Sequence, residues 1–205
     1  MFYNILDKKR LNFLPLFKKF KKEFYLAGGT ALALQIGHRD SLDFDFFSVQ
    51  PINTKQLFEK LQEIFKRHKI AKVQEDKNTL SLIIDEKIKL SFFTYKYKLM
   101  DKLIKAEYFN LASVVDIGCM KLSTLISRAT NKDYVDLYYI LKKVKLPVLL
   151  LMMEKKFSNI DLNLVLKSIV FFDDIEKEPL RFKNSNRVSF SEVKEYLQEQ
   201  VKKIY

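Results

Sequence analysis

The sequence predicts an α/β fold in which a strand-containing half is followed by a purely helical half. Three observations predict it. Short β-branched and aromatic runs alternate with helical patterns up to residue 115. Helical periodicity alone fills the rest of the chain. Within the first half lies a signal of its own: an apolar run enters Gly28-Gly29, and Asp43-Phe44-Asp45-Phe46 follows thirteen residues after the pair. The expected division is an α/β core over 1–115 and a helical region over 116–205, which completes the site and forms a C-terminal lobe.

Taken in order, Phe13, Phe17, Phe20 and Phe24 recur at helical spacing, predicting a helix from about 10 to 23 with lysines on its other face. Phe24 to Ala27 reads as a buried strand, Thr30 to Ile36 as a helix ended by Gly37, and Leu42 to Phe47 as a strand. Thr54 to Arg67 has an apolar stripe of Leu57, Leu61, Ile64 and Phe65. Strands are expected over 70–75, 80–84 and 88–95, with 85–87 as a hairpin turn, and a short one over 111–115. Helices follow at 117–129, 132–143, 148–157, 160–172 and 190–203, with Pro147 and Pro179 as breaks.

Composition narrows the class. A chain of 205 residues, 48% hydrophobic and 30% charged, has the make-up of a folded globular protein. No apolar stretch reaches the ~18 residues of a membrane span, and no secretory leader pattern opens the chain, so a cytoplasmic protein with no membrane partner is expected. Cys119 stands alone, which excludes an internal disulfide, and only His38 and His68 accompany it, which argues against zinc. A net charge of +12 favours polyanionic partners.

The glycine pair leaves backbone amides uncovered by Cβ atoms, so a phosphate chain can approach, and a helix beginning there would aim its N-terminal dipole at the same anion. Asp43 and Asp45, two apart in a strand, point to one face while Phe44 and Phe46 enter the core. Two carboxylates on one face suit Mg²⁺, which keeps several waters and completes its shell with substrate phosphates. The combination reads as a metal-dependent nucleotidyl-transfer site. A second constellation spans 116–137, where Lys121, Leu125 and Arg128 share one helical stripe and Lys132-Asp133 opens the next helix. Taken alone, Asp133 could be a helix N-terminal charge, Arg128 its salt-bridge partner and Asp136 a solvated side chain.

Together these segments, with Lys89-Leu90-Ser91-Phe92-Phe93 between them, resemble the AbiEii/AbiGii-type nucleotidyltransferase toxin family, a branch of the DNA polymerase β-like superfamily. The resemblance implies a mixed sheet flanked by helices and a C-terminal helical region. It implies Mg²⁺-dependent transfer (Mn²⁺ as a substitute) of a nucleoside monophosphate from an NTP to an acceptor hydroxyl, with tRNA or another RNA 3′ end as acceptor and a cognate antitoxin as partner. By residue, it implies Gly28, Gly29 and Thr30 on the triphosphate, Asp43 and Asp45 on the metal, Lys121 on phosphate, and Asp133 as the acid of the last motif. Arg128 and Lys132 lie beside Asp133, which is expected to orient Lys121 or Arg128. Arg39 is open to either a phosphate contact or a pair with Asp40, and His38 to either a helix cap or substrate.

One departure matters. Many superfamily members carry a third acid on a later strand, where this chain has Ser91, too weak a base to replace it. Asp43 and Asp45 could suffice, or Asp85 or Glu86 could swing in. A catalytically degenerate binding module of the same fold, or transfer onto a protein hydroxyl, are the alternatives that stay open.

Overall fold

The computed structural model describes residues 1–183 and 186–205. Helix α1 (Lys8–Phe17) starts at Asp7, whose carboxylate accepts from the amide of Arg10 at 2.8 Å. It is shorter than the predicted 10–23: Pro15 lies in its last turn, and the chain tightens into a 3₁₀ turn at Lys18–Phe20. Strand β1 (Tyr25–Ala27) leads into α2 (Gly28–Ile36), which begins at the glycine pair itself rather than at Thr30. Gly37 ends α2 in the left-handed conformation, φ 74°, where a side chain would be strained. Strand β2 (Phe44–Ser48) starts two residues later than predicted, so Asp43 immediately precedes it.

Helix α3 (Thr54–Ile64), capped by Asn53, precedes a meander of β3 (Ile70–Asp76), β4 (Thr79–Ile84) and β5 (Ile88–Thr94). The turn at 85–87 is as expected, with Asp85 and Glu86 both at positive φ. Two short strands follow, β6 (Ile104–Lys105) and β7 (Asn110–Leu111). The predicted strand at 111–115 stops early because Ser113 caps α4 (Val114–Ser127), accepting from the amide of Asp116 at 3.0 Å. β6 carries only two residues, too few for periodicity to register. Helices α5 (Asn131–Leu141), α6 (Leu146–Lys156), α7 (Leu162–Val170) and α8 (Phe190–Lys202) complete the chain. Pro147 is not a break but sits in the first turn of α6, where its missing N–H is harmless.

The seven strands form one mixed sheet in the order β3-β4-β5-β2-β1-β7-β6, with β2 parallel to β5 and antiparallel to β1. Alternation along β2 sends Phe44 and Phe46 to one face, where Phe17, Phe20 and Phe92 pack around Phe46 at ring distances of 5.3, 4.9 and 5.3 Å. The opposite face carries Asp45. Because Phe46 is 1% exposed at the centre of this aromatic cluster, Phe46→Ala should lower unfolding free energy by about 3–5 kcal/mol in urea titrations. No helix among the described residues is long and apolar enough to cross a membrane.

Candidate active site

The face opposite the aromatic core opens into a cleft of about 810 Å³ between the sheet, the α4–α5 junction and the segment joining α7 to α8. Gly29, Arg39, Asp43, Asp45, Lys121, Arg128, Lys132 and Asp133 line it, so residues from both halves of the chain meet there. Asp43 is exposed and Asp45 partly buried, and neither carboxylate has an ion-pair or hydrogen-bond partner among the described residues. Burial first, and the Asp43 charge second, push the Asp45 carboxyl up to about 6, against the opposing pull of Lys89, Lys121 and Arg128. Two unpaired carboxylates side by side fit a hard divalent cation. With no group of three or more His, Cys, Asp or Glu ligands among the described residues, such an ion would draw its remaining oxygens from water and phosphate.

Beneath the cleft lies a buried ionic network. Lys121 donates to Asp133 at 2.7 Å and reaches Asp136 at 2.8 Å, with 12% of its side chain exposed. Burial alone would lower the Lys121 pKa, but Asp136 and Asp133 together raise it, so the ammonium is held charged. Asp136 is 0% exposed and holds Arg39 in a two-point pair, Nε to Oδ1 at 2.7 Å and Nη2 to Oδ2 at 2.8 Å. His38 contacts the same carboxylate through Nε2 at 2.9 Å. Although burial opposes it, Arg39 and Lys121 keep Asp136 well below the usual carboxylate range. Asp133 also closes a capping box with Thr130, which fixes the start of α5. Of the two cations expected beside Asp133, the one it contacts is Lys121 and not Arg128.

Several expectations change. The Thr30 hydroxyl is buried and donates to the Asp43 carbonyl, with Ser41 Oγ at 2.8 Å, so it shapes the loop before β2 instead of facing a ligand. Gly28, at φ 72°, backs Asp45: a Cβ there would lie 3.0 Å from Oδ2, so the glycine makes room for the carboxylate while Gly29 lines the cleft. Arg39 pairs with Asp136 and donates through Nη1 only to the backbone carbonyl of Asp40, at 2.9 Å. His38 is neither a helix cap nor exposed to substrate, being 0% exposed against Asp136. Asp136, open from sequence to being a solvated side chain, is the hub of the network.

Arg128 lies beyond the end of α4, in extended backbone, exposed and without an ion-pair partner among the described residues. Lys132 is engaged by Glu178 at 2.7 Å on the rim. Asp85 and Glu86 are held elsewhere, Asp85 by His68 Nδ1 at 2.9 Å and Glu86 by Lys69 at 2.7 Å, and neither lines the cleft. No acid swings in from that turn.

Sequence reading missed Lys89, Ser81, Gln74, Glu178 and Arg181, all of which line the cleft. Lys89 was legible in principle, since it is two residues before Ser91 and shares its face. Glu178 and Arg181 were not, because the segment before α8 is brought to the cleft by tertiary contacts, among them bridges of Glu176 to Thr130 and Phe182 to Arg39. Close packing also gives a test. A Cβ on Gly29 would sit 2.5 Å from Arg39 Nη2 and displace it from Asp136, so Gly29→Ala should cost about 1–3 kcal/mol in urea unfolding. A fully stable variant would show that Arg39 has another place to go.

Known proteins share the family and the fold. Residues 16–199 match the family model described as nucleotidyl transferase AbiEii toxin, type IV TA system. A protein of Aquifex aeolicus (strain VF5) is 38% identical over 160 residues, which are 76% of this chain and 77% of that protein. Among solved structures, JHP933 from Helicobacter pylori shares the fold at a TM-score of 0.58 and 17% identity, over 97% of this chain and 93% of that one. MenT4, nucleotidyltransferase toxin Rv2826c from Mycobacterium tuberculosis H37Rv, does so at a TM-score of 0.61 and 13% identity, over 93% and 80%. With a mixed sheet, a carboxylate pair facing a cationic wall, and a family match over most of its length, this chain is a nucleotidyltransferase belonging to the AbiEii toxin family.

Proposed function

We propose that the protein transfers a nucleoside monophosphate from an NTP to an RNA 3′ hydroxyl, a tRNA end being the expected acceptor, with Mg²⁺ or Mn²⁺ held by Asp43 and Asp45. It would act in the cytoplasm as the toxin partner of a cognate antitoxin. The observation that carries this reading is the unpaired Asp43–Asp45 couple facing Lys121 and Arg128 across one cleft. A bound divalent ion would neutralise the two carboxylates and screen charge on the triphosphate.

The chain's own residues would do the rest. Gly29, at the first turn of α2, offers the triphosphate a surface without a side chain and the positive end of the helix dipole. Lys121 and Arg128 stabilise charge as it gathers on the leaving pyrophosphate. The acceptor oxygen bonds to the α-phosphorus, the bond to the bridging oxygen of the β-phosphate breaks, and the acceptor's proton passes toward the Asp43–Asp45 carboxylates. Asp133 and Asp136 keep Lys121 charged and in place without touching substrate. We place the functional division at 115/116, with the α4–α5 junction completing the site from the helical side.

Incubation with each α-labelled NTP, Mg²⁺ and total cellular RNA tests this. Label on RNA is the expected outcome, and metal removal should abolish it. No transfer with any NTP would overturn the assignment. Label on protein instead would redirect it to a protein hydroxyl.

A further inference from the structure

We infer that the sheet floor of the cleft is an acceptor lane built to receive a single-stranded ribonucleotide end, with Lys89 on its phosphodiester and the Ser81–Ser91 hydroxyls on its terminal ribose. This rests on the nucleotidyl-transfer reading and names the subsite where the acceptor binds.

Four strands bring one row of polar side chains to the same register. Gln74 pairs with Ser81, Ser81 with Ser91, and Ser91 with Asp45, so the row runs from the open β3 edge to the carboxylate pair. Residues opposed in a sheet share a face, and all four line the cleft. The outermost member is there because of an irregularity. Lys72 pairs with Leu82 and Gln74 with Ser81, leaving Val73 bulged out and 55% exposed. A regular ladder would have placed Val73 opposite Ser81. The bulge instead substitutes an amide for an isopropyl group at the mouth of the row, the kind of re-aiming that bulges perform.

The middle of the row is small and hydroxylated. Ser81 Oγ donates to Ser91 Oγ at 3.2 Å, and the two residues are 3% and 2% exposed. In this bond the Ser91 oxygen accepts from Ser81, and no hydrogen bond donated by the Ser91 hydroxyl is found among the described residues. A neighbouring 2′-hydroxyl is a suitable acceptor, and it is the group that distinguishes RNA from DNA. Two short side chains therefore stand between Gln74 and Asp45 on the floor of the cleft.

Charge divides the cleft into two ends. Lys121, Arg128, Lys132 and Arg181 stand on the helical side of Asp43 and Asp45. On the sheet side stands Lys89, exposed, two residues before Ser91 on the same face, and without an ion-pair partner among the described residues. An NTP needs only the first end. A cation at the second suits an acceptor that is itself an anion.

The test is direct binding to the full-length protein, with no turnover required. The probes are a fluorescent hexaribonucleotide with a free 3′ end and its deoxy counterpart, read by anisotropy across a salt series. Lys89→Ala should weaken both about five- to tenfold and reduce the slope of log affinity against log salt by about 0.7, with Lys89→Arg restoring both. Ser91→Ala should weaken the ribo probe about fivefold and leave the deoxy probe within twofold. Lys55→Ala, an exposed change on α3 away from the cleft, should alter neither. Unchanged affinity in Lys89→Ala, an equal loss in Lys55→Ala, an equal effect of Ser91→Ala on both probes, or no binding by wild type would each overturn the lane. Separately measured label transfer keeps the two readings apart. A protein that binds the ribo probe as described yet transfers nothing leaves the lane standing and removes the activity. One that transfers to RNA with Lys89→Ala binding normally does the reverse.

Discussion

Asp45→Asn is expected to lose transfer by at least a factor on the order of 10²–10³ while melting at a higher temperature than wild type in metal-free buffer at pH 7. The two effects share one cause. Asp45 is partly buried beside Asp43 with no bonding partner among the described residues, and its carboxyl is pushed up to about 6. The folded state therefore binds this proton more tightly than the unfolded chain does, and stability falls as pH rises from the ordinary carboxylate range through about 6. Above that window the ionised group destabilises the fold by on the order of 2 kcal/mol, which an amide of similar volume relieves. Thermal melts from pH 4 to 8 in chelator check this: wild type should lose stability across the window and the variant should not. Added Mg²⁺ should raise the wild-type melting temperature and leave the variant's unchanged. Identical melting curves for the two proteins would show that Asp45 carries no such strain.

The second large effect is expected at Asp136. Removing this carboxylate by Asp136→Ala leaves Arg39 and Lys121 buried without their shared counter-charge, and breaking such a pair costs about 3–5 kcal/mol. Asp136→Asn keeps the volume but not the charge, and should still lose most of that stability. The pH dependence has the opposite sign to that of Asp45. Because the folded Asp136 carboxyl lies well below its ordinary value of 3.8, its contribution is complete above that value and disappears as pH falls below it. Urea titrations at pH 7 and at pH 3 would show the variant's deficit shrinking in acid. Asp133→Asn is the useful contrast, since Asp133 shares Lys121 but leaves the Arg39 pair intact. A deficit as large in Asp133→Asn would move the hub of the network one helical turn.

Much of this arrangement was legible in the residues. The Phe44/Phe46 and Asp43/Asp45 alternation exposed both the core face and the reactive face of β2, because a strand's period of two admits no other reading once one set is aromatic. The hairpin at 85–87 and the helices from α4 to α8 followed from turn chemistry and periodicity. Buried polar groups were not legible. His38, Arg39 and Asp136 look like surface residues by type, and nothing local reveals that His38 and Arg39, 98 and 97 positions before Asp136, both bond to its carboxylate. Thr30 was misread for the same reason, since its hydroxyl bonds to a carbonyl that only the fold brings near. An element end moved where capping overruled periodicity, as at Ser113.

The sequence by itself pointed to nucleotidyl transfer: the glycine pair, the Asp-Phe-Asp strand and the Lys121–Asp133 segment can each be read locally, through spacing along a strand or helix. The tertiary structure decided which groups are available to do it. It joined Arg39, His38 and Lys121 to Asp136, tied Thr30 to the backbone, placed Asp85 and Glu86 away from the cleft, and set Gln74, Ser81 and Ser91 in one row with Asp45, with Lys89 on the same face. Sheet register and burial are properties of strands distant in the chain, and a side chain's partners depend on them rather than on its neighbours in sequence.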